Sequence, residues 1–370
     1  MTEKKYLIPV FILLFLAFLT SVSVSQPLRE ITDSNHRVVT IPIKIDRIIC
    51  SGPGCLRLIT YFGAQDRVVA VDDIETRTNK FDARPYSLAN SQFKSLPVFG
   101  GFRGNDDPEK ILGLKQSPQI IFKTFATMGY DPVELERKTE IPVVILEYGD
   151  LHKGRKQFFN SLKVIGQVLN KESRASELID FFNRHIQDLE SRTRDIADKK
   201  TCFVGGIAFK GPHGFQSTEP SYPPFKFVNA NNIAATKDMA GKNIRNSNFS
   251  KEKILQLDPS IMFLDLSTLQ MGEGQDGLHE LKNDPVYQGL TAVQANKVYG
   301  VLPYNWYTQN FGSILANAWY IGKILYPEKF LDITPEKKAD EIYEFLVSKP
   351  VFKSMKSLFK DIVFQPLELN

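Results

Sequence analysis

Histidine, cysteine and tryptophan are the scarce residues of this 370-residue chain, at five, three and two copies. Three cysteines are too few for a small disulfide scaffold. Cys50 and Cys55 flank Ser51-Gly52-Pro53-Gly54 and either pair or remain two buried thiols; the residues leave both readings open. Cys202 begins an apolar strand and reads as core. No two histidines are spaced as a helical metal pair, and no His-Glu-x-x-His occurs, so neither a metal nor a cofactor is expected. Charge of one sign is also lacking. Lys and Arg number 46 against 42 Asp and Glu, a net +4. Setting aside Glu3, Lys4 and Lys5 lowers that to about +3, and no dense basic run occurs, which argues against a nucleic-acid partner.

Catalytic signatures are missing as well. There is no Gly-x-Ser-x-Gly elbow and no phosphate loop of the Walker type. Gly100-Gly101-Phe102-Arg103-Gly104 lacks the spacing of a dinucleotide fingerprint. The chain is therefore expected not to be an enzyme. Long apolar runs are absent except at the start, where Lys4 and Lys5 precede Val10 to Leu19 and then Ser21, Ser23 and Ser25. That order is the order of a secretory signal, assigned to residues 1–25. The run is shorter than the ~20 residues of a membrane span, although an uncleaved anchor is the alternative because Tyr6 to Val24 is only lightly broken. No Cys precedes Cys50, which excludes a lipid-modified N-terminal cysteine in the export signal.

What the chain does contain is organised around the stretch from Lys171 to Ala197. Ala175, Leu178, Ile179, Phe182, Ile186, Leu189 and Ile196 fall on one face of a helix, with Asn170 placed to cap its start. Without Gly or Pro for about 27 residues, this predicts a rod of ~40 Å. Before it stands Glu109-Lys110-Ile111-Leu112, then Pro118 and Ile120-Ile121-Phe122; after it stands Glu252-Lys253-Ile254-Leu255, then Pro259 and Ile261-Met262-Phe263. Both phrases read as a short helix, a turn and a buried parallel strand. The fold class expected is α/β, with two Rossmann-like lobes joined by one long helix. The boundaries are 26–150 for the first lobe, 151–200 for the linking helices and 201–370 for the second lobe.

Ligands of open parallel sheets sit beyond the carboxyl ends of the strands. Loops predicted there are Gly52-Pro53-Gly54, Arg103, and Thr124 with Phe125 in the first lobe. The second lobe supplies Lys210 and His213 in a glycine- and proline-rich loop, Tyr222, Ser267, and Asn305-Trp306-Tyr307. Together they suit an anionic, partly flat ligand held between lobes, with guanidinium forks for its oxygens and aromatic rings for its faces. Asp82 to Tyr86 is expected to begin a polar connecting helix.

Several phrases in order, Val38-Val39-Thr40-Ile41-Pro42 with Arg47-Ile48-Ile49, Pro97-Val98-Phe99-Gly100 and the two Glu-Lys-Ile-Leu repeats, resemble the substrate-binding proteins of ABC importers for iron chelates, haem and corrinoids. Lys210-Gly211-Pro212-His213-Gly214 and Tyr304-Asn305-Trp306-Tyr307 resemble the haem and metal-complex receptors most. The resemblance implies a periplasmic, monomeric receptor that delivers an iron chelate to a permease and its ATPase. Glu109 and Glu252 match the residues that dock on permease arginines in that family. The alternative is a molybdate or tungstate receptor of the same fold, since the loops could hold an oxyanion through backbone amides and cations.

Overall fold

The computed structural model describes residues 27–235, 244 and 246–369, so the expected signal at 1–25 lies outside the described residues. No helix among the described residues is long and apolar enough to cross a membrane. An antiparallel hairpin, β1 (Leu28–Thr32) and β2 (Val38–Pro42), opens them. Asp33 fixes its turn by accepting from the amides of Asn35 and Arg37. The six strands that follow are β3 (Ile48–Ser51), β4 (Val68–Asp72), β5 (Val98–Gly101), β6 (Asn105–Asp106), β7 (Ile120–Thr124) and β8 (Val143–Leu146). They form one sheet in the order β6-β5-β4-β3-β7-β8, parallel except for the β5–β6 pair. Such strands are covered on both faces, which is why β3, β7 and β8 are buried along their whole length.

The second half repeats the plan on a smaller scale. Its strands are β9 (Thr201–Gly205), β10 (Ser217–Thr218), β11 (Asn231–Asn232), β12 (Ser247–Asn248), β13 (Ile261–Asp265) and β14 (Val298–Val301). A parallel sheet runs β11-β9-β13-β14, and β10 pairs separately with β12. The chain's last residues return along β14: Gly300 donates to Gln365, and Phe364 and Leu367 donate to Gly300 and Val298. The β14 edge of that sheet is thereby covered.

The rod spans Glu172–Thr193, 22 residues, or ~33 Å. It is shorter at both ends than expected. Asn170 adopts a left-handed conformation (φ 55°) and terminates the preceding helix, Arg155–Leu169, instead of capping the rod. Ala175, Leu178, Phe182, Ile186 and Leu189 are buried as the periodicity requires, with Phe181 beside them. The rod's first turns hold the first lobe: Lys171 donates to the Phe62 carbonyl and Arg174 to that of Tyr61. Its last turn holds the second lobe through Arg192 and Asp332, 2.7 Å apart. One element therefore fixes both lobes.

One expectation needs correction, and one open choice between readings is decided. Asp82 and Arg84 are buried rather than solvated: Arg84 binds Asp82 at 2.9 Å and Glu75 at 2.8 Å, and Tyr86 donates to Glu75 at 2.6 Å. The helix there, Pro85–Ala89, is buried at all but one position. Cys50, Cys55 and Cys202 are all free and buried, so the Cys50–Cys55 bridge is not formed. The cores also differ from a simple pair. One cluster of Ile49, Ala70, Phe99, Ile111 and Ile121 seals the outer face of the first sheet. The inner face is continuous with the second lobe through the ring series Tyr148, Phe311, Phe158 and Phe182, whose successive centroids lie 5.0, 4.1 and 5.1 Å apart.

Candidate functional site

The carboxyl ends of both sheets face a seam between the lobes, and a five-residue hairpin crosses it. Asn305 and Gln309 pair across this hairpin, with Trp306, Tyr307 and Thr308 at its tip. Tyr307 (φ 47°) and Thr308 (φ 65°) are both left-handed. For a β-branched residue that is a costly conformation, one that persists only where surrounding contacts impose it.

Those contacts come from the first lobe. Arg57, fully buried in the helix Cys55–Tyr61, spreads its guanidinium over the hairpin's backbone. Nη2 donates to the carbonyls of Trp306 (3.0 Å) and Tyr307 (3.3 Å), and Nη1 to that of Gln309 (2.8 Å). Tyr148 adds its hydroxyl to the Gln309 carbonyl at 2.7 Å and also accepts from Arg57. On the other side, the Tyr307 hydroxyl donates to Asp72 at 2.5 Å and accepts the Arg103 amide at 3.0 Å. Burial, with Glu75 alongside, pushes the Asp72 carboxyl well above the usual carboxylate range, while the Tyr307 hydroxyl pulls it down.

The turn between β3 and its helix closes the floor. Gly52 and Gly54 are left-handed, and neither tolerates a side chain. A Cβ on Gly52 would stand 2.6 Å from the Thr124 carbonyl oxygen, and one on Gly54 would strike Tyr148 and Thr308. Thr124 braces the turn by donating to the Pro53 carbonyl at 2.9 Å, and Phe125 stacks on Tyr148 at 5.7 Å. Beneath lies Lys123, completely buried, bonded to Asp106 at 2.6 Å and Ser51 at 3.0 Å.

Five buried polar atoms of the seam have no hydrogen-bond partner among the described residues: Arg57 Nε, Asp72 Oδ1, Trp306 Nε1, Gln309 Oε1 and Asn310 Oδ1. Each such atom costs about 1–3 kcal/mol, so the seam is not self-sufficient. Trp306 also borders a cavity of about 330 Å³ between the lobes, beside Lys80, Phe81, Gln270, Glu273 and Lys360.

This architecture matches a known family. The periplasmic binding protein family matches residues 48–304. The chain belongs to it. Binding proteins of this kind are transport receptors, not enzymes, and deliver a solute to the permease of an ABC transporter. The molybdate-binding protein MolA of Haemophilus influenzae is 24% identical over 358 residues, covering 90% of this chain and 95% of that protein. In structure, this binding protein resembles MolA bound to molybdate with a TM-score of 0.65 at 19% identity, over 87% of this chain and 98% of that one. It also resembles the haem-binding protein HutB of Vibrio cholerae, with a TM-score of 0.55 at 20% identity over 76% and 99% of the two chains.

In this binding protein the seam gathers Gly52, Pro53, Gly54, Arg103, Thr124, Phe125, Trp306 and Tyr307. Asn305 ties the hairpin to the second sheet, donating to the Ala208 carbonyl at 2.7 Å. Four of the sequence-derived residues fall outside this set. Tyr222 is a core residue, completely buried, with rings at Phe225 and Tyr304 and its hydroxyl on Asn317. Lys210 and His213 are exposed, and His213 braces its own loop through the Phe209 carbonyl at 2.8 Å. Ser267 is buried and donates to Gly206, holding a turn. Arg57, Asp72, Tyr148 and Gln309 were missed. A lone arginine within Cys55-Leu56-Arg57-Leu58-Ile59 was the available signal, since a charge on an otherwise apolar helix is buried only with partners.

Glu109 and Glu252 sit at matching places on the two lobes, exposed in the first turns of the helices Pro108–Leu112 and Lys251–Leu257. Neither is the cap. Asp107 and Ser250 accept the amides of Lys110 and Lys253 and cap the two helices.

Proposed function

We propose that this chain is the receptor of an ABC importer for a small oxygen-rich anion of the molybdate or tungstate kind, bound at the interlobe seam. The observation that carries the reading is the near full-length likeness to MolA, 24% identical over 95% of that protein. The seam supports it: buried Arg57 and partly buried Trp306 hold unpartnered N–H groups, and left-handed Gly52, Gly54 and Gly104 shape turns whose amides can converge on an anion. An iron chelate is the second reading, supported by the likeness to a haem-binding protein and by Trp306 and Phe81 bordering the interlobe cavity. The lobes at 26–150 and 201–370, linked by 151–200, would close on the ligand. The receptor would act as a monomer, exported by the segment at 1–25, with Glu109 and Glu252 meeting the permease.

Titration calorimetry of the mature protein separates the two ligands. Molybdate or tungstate is expected to bind saturably and to raise the unfolding temperature, by about 2.7 kcal/mol of stability at a hundredfold excess over Kd. Binding of a ferric catecholate or haem, with neither oxyanion bound, would replace the first reading with the second. No binding of either class would overturn both.

A further inference from the structure

The contacts across the seam are unequal in a way that singles out one arginine and one short hairpin. We infer that the hairpin 305–309 is a two-state gate over the ligand seam, and that Arg57 is the positioning residue that sets its balance. The inference rests on the reading of the seam as the ligand site.

Three observations converge. First, the hairpin is strained: two successive side-chain-bearing residues, one of them β-branched, hold positive φ angles of 47° and 65°. Such strain relaxes unless surrounding groups pin it. Second, the largest single part of the pin is one guanidinium, whose two terminal nitrogens hold the carbonyls of residues 306, 307 and 309 from a helix of the other lobe, while Tyr148, Asp72 and the Arg103 amide add one bond each. A planar fork with fixed donors does this, and a lysine ammonium reproduces only part of it. Third, Trp306, Gln309 and Asn310, with Arg57 and Asp72 opposite, bury polar atoms that have no hydrogen-bond partner among the described residues. The clamped form therefore combines strong backbone bonds with strain and unpaired groups. That balance belongs to an element with a second, relaxed arrangement of similar free energy. The bonds that hold the rest of the lobes together, such as the rod's grip on both, do not pass through this hairpin. The hairpin can release without the lobes separating. Release would free Trp306 and Tyr307 together, and for Tyr307 it breaks the bonds to Asp72 and the Arg103 amide along with the one from Arg57.

Native-state hydrogen exchange, read by mass spectrometry on the full mature chain, tests this with two substitutions of opposite sign. Arg57→Lys keeps the charge and loses the fork; amides of residues 304–310 are expected to exchange at least about tenfold faster, with both central sheets unchanged. Thr308→Gly removes the strain at a positive φ; the same amides are expected to exchange about tenfold slower. With sodium molybdate as probe, dissociation should quicken in the first variant and slow in the second. Faster exchange spread evenly over both lobes in Arg57→Lys would overturn the gate and leave a plain structural strut. So would exchange in Thr308→Gly that is unchanged or faster, and this variant decides alone if Arg57→Lys does not fold. Should the wild-type protein bind no molybdate, the oxyanion reading falls while the exchange pattern still judges the gate.

Discussion

Lys123 and Arg57 are both fully buried cations, yet they are held differently. Arg57 binds mainly carbonyl oxygens across a seam, whereas Lys123 is paired with a carboxylate inside one sheet, bonded to Asp106, Ser51 and the Gly104 carbonyl. Burial pushes the Asp106 carboxyl up, and Lys123 pulls it down. Lys123→Met is expected to leave that carboxylate uncompensated and to lower stability by about 3–5 kcal/mol in urea unfolding. The double variant Lys123→Met with Asp106→Asn should recover part of the loss. A recovery of nothing would mean that Lys123 matters for shape rather than charge. This pair was not legible in advance: Lys123-Thr124-Phe125-Ala126 reads as a loop at a strand's end, but the strand continues through Thr124. Partner identity, Asp106 seventeen residues earlier, is set only by the fold.

Elements were the most legible level. The rod's apolar face and the repeated helix-turn-strand phrase follow from periodicity because the same residues must be buried whichever partners cover them. Ends were less legible. Asn170 has a short polar side chain that suits either end of a helix, and the tight packing of Gly166 against Ala175, which brings the two helices together, decided the matter. Turns at the ends of strands hide their chemistry similarly. Asp265 closes β13 and accepts the Ser267 amide at 2.9 Å, and burial pushes its carboxyl up to about 7. In the unfolded chain that carboxyl titrates near ~4. Between these values the folded state binds the extra proton, so stability contributed below pH ~4 is lost as pH rises to about 7. Thermal unfolding across that range should show a fall in midpoint that is smaller in Asp265→Asn. An equal fall in both proteins would mean that Asp265 is ionised in the fold.

At the scale of the whole molecule, two lobes were expected and two sheets are found, but their inner cores are one continuous body through Tyr148, Phe311 and Phe158. Periodicity cannot report this, because a buried ring looks the same whichever lobe it touches. Glu109 and Glu252 are a separate matter, each on an exposed first turn of a short helix. Reversing both charges, Glu109→Lys with Glu252→Lys, should leave ligand affinity of the isolated receptor unchanged and reduce uptake in cells at least tenfold. Normal uptake by the double variant would remove these residues from the docking role.

The segment that lies along β14 has a further consequence for the edge of its sheet. A bare parallel sheet ends in a row of unused amides and carbonyls, open to any passing strand. Here residues 364–367 occupy that row with the molecule's own chain, and Pro366, opposite Tyr299, has no amide to offer onward. Residues 364–367 thus work as a selvedge along β14, closing that one edge to the strand of another molecule.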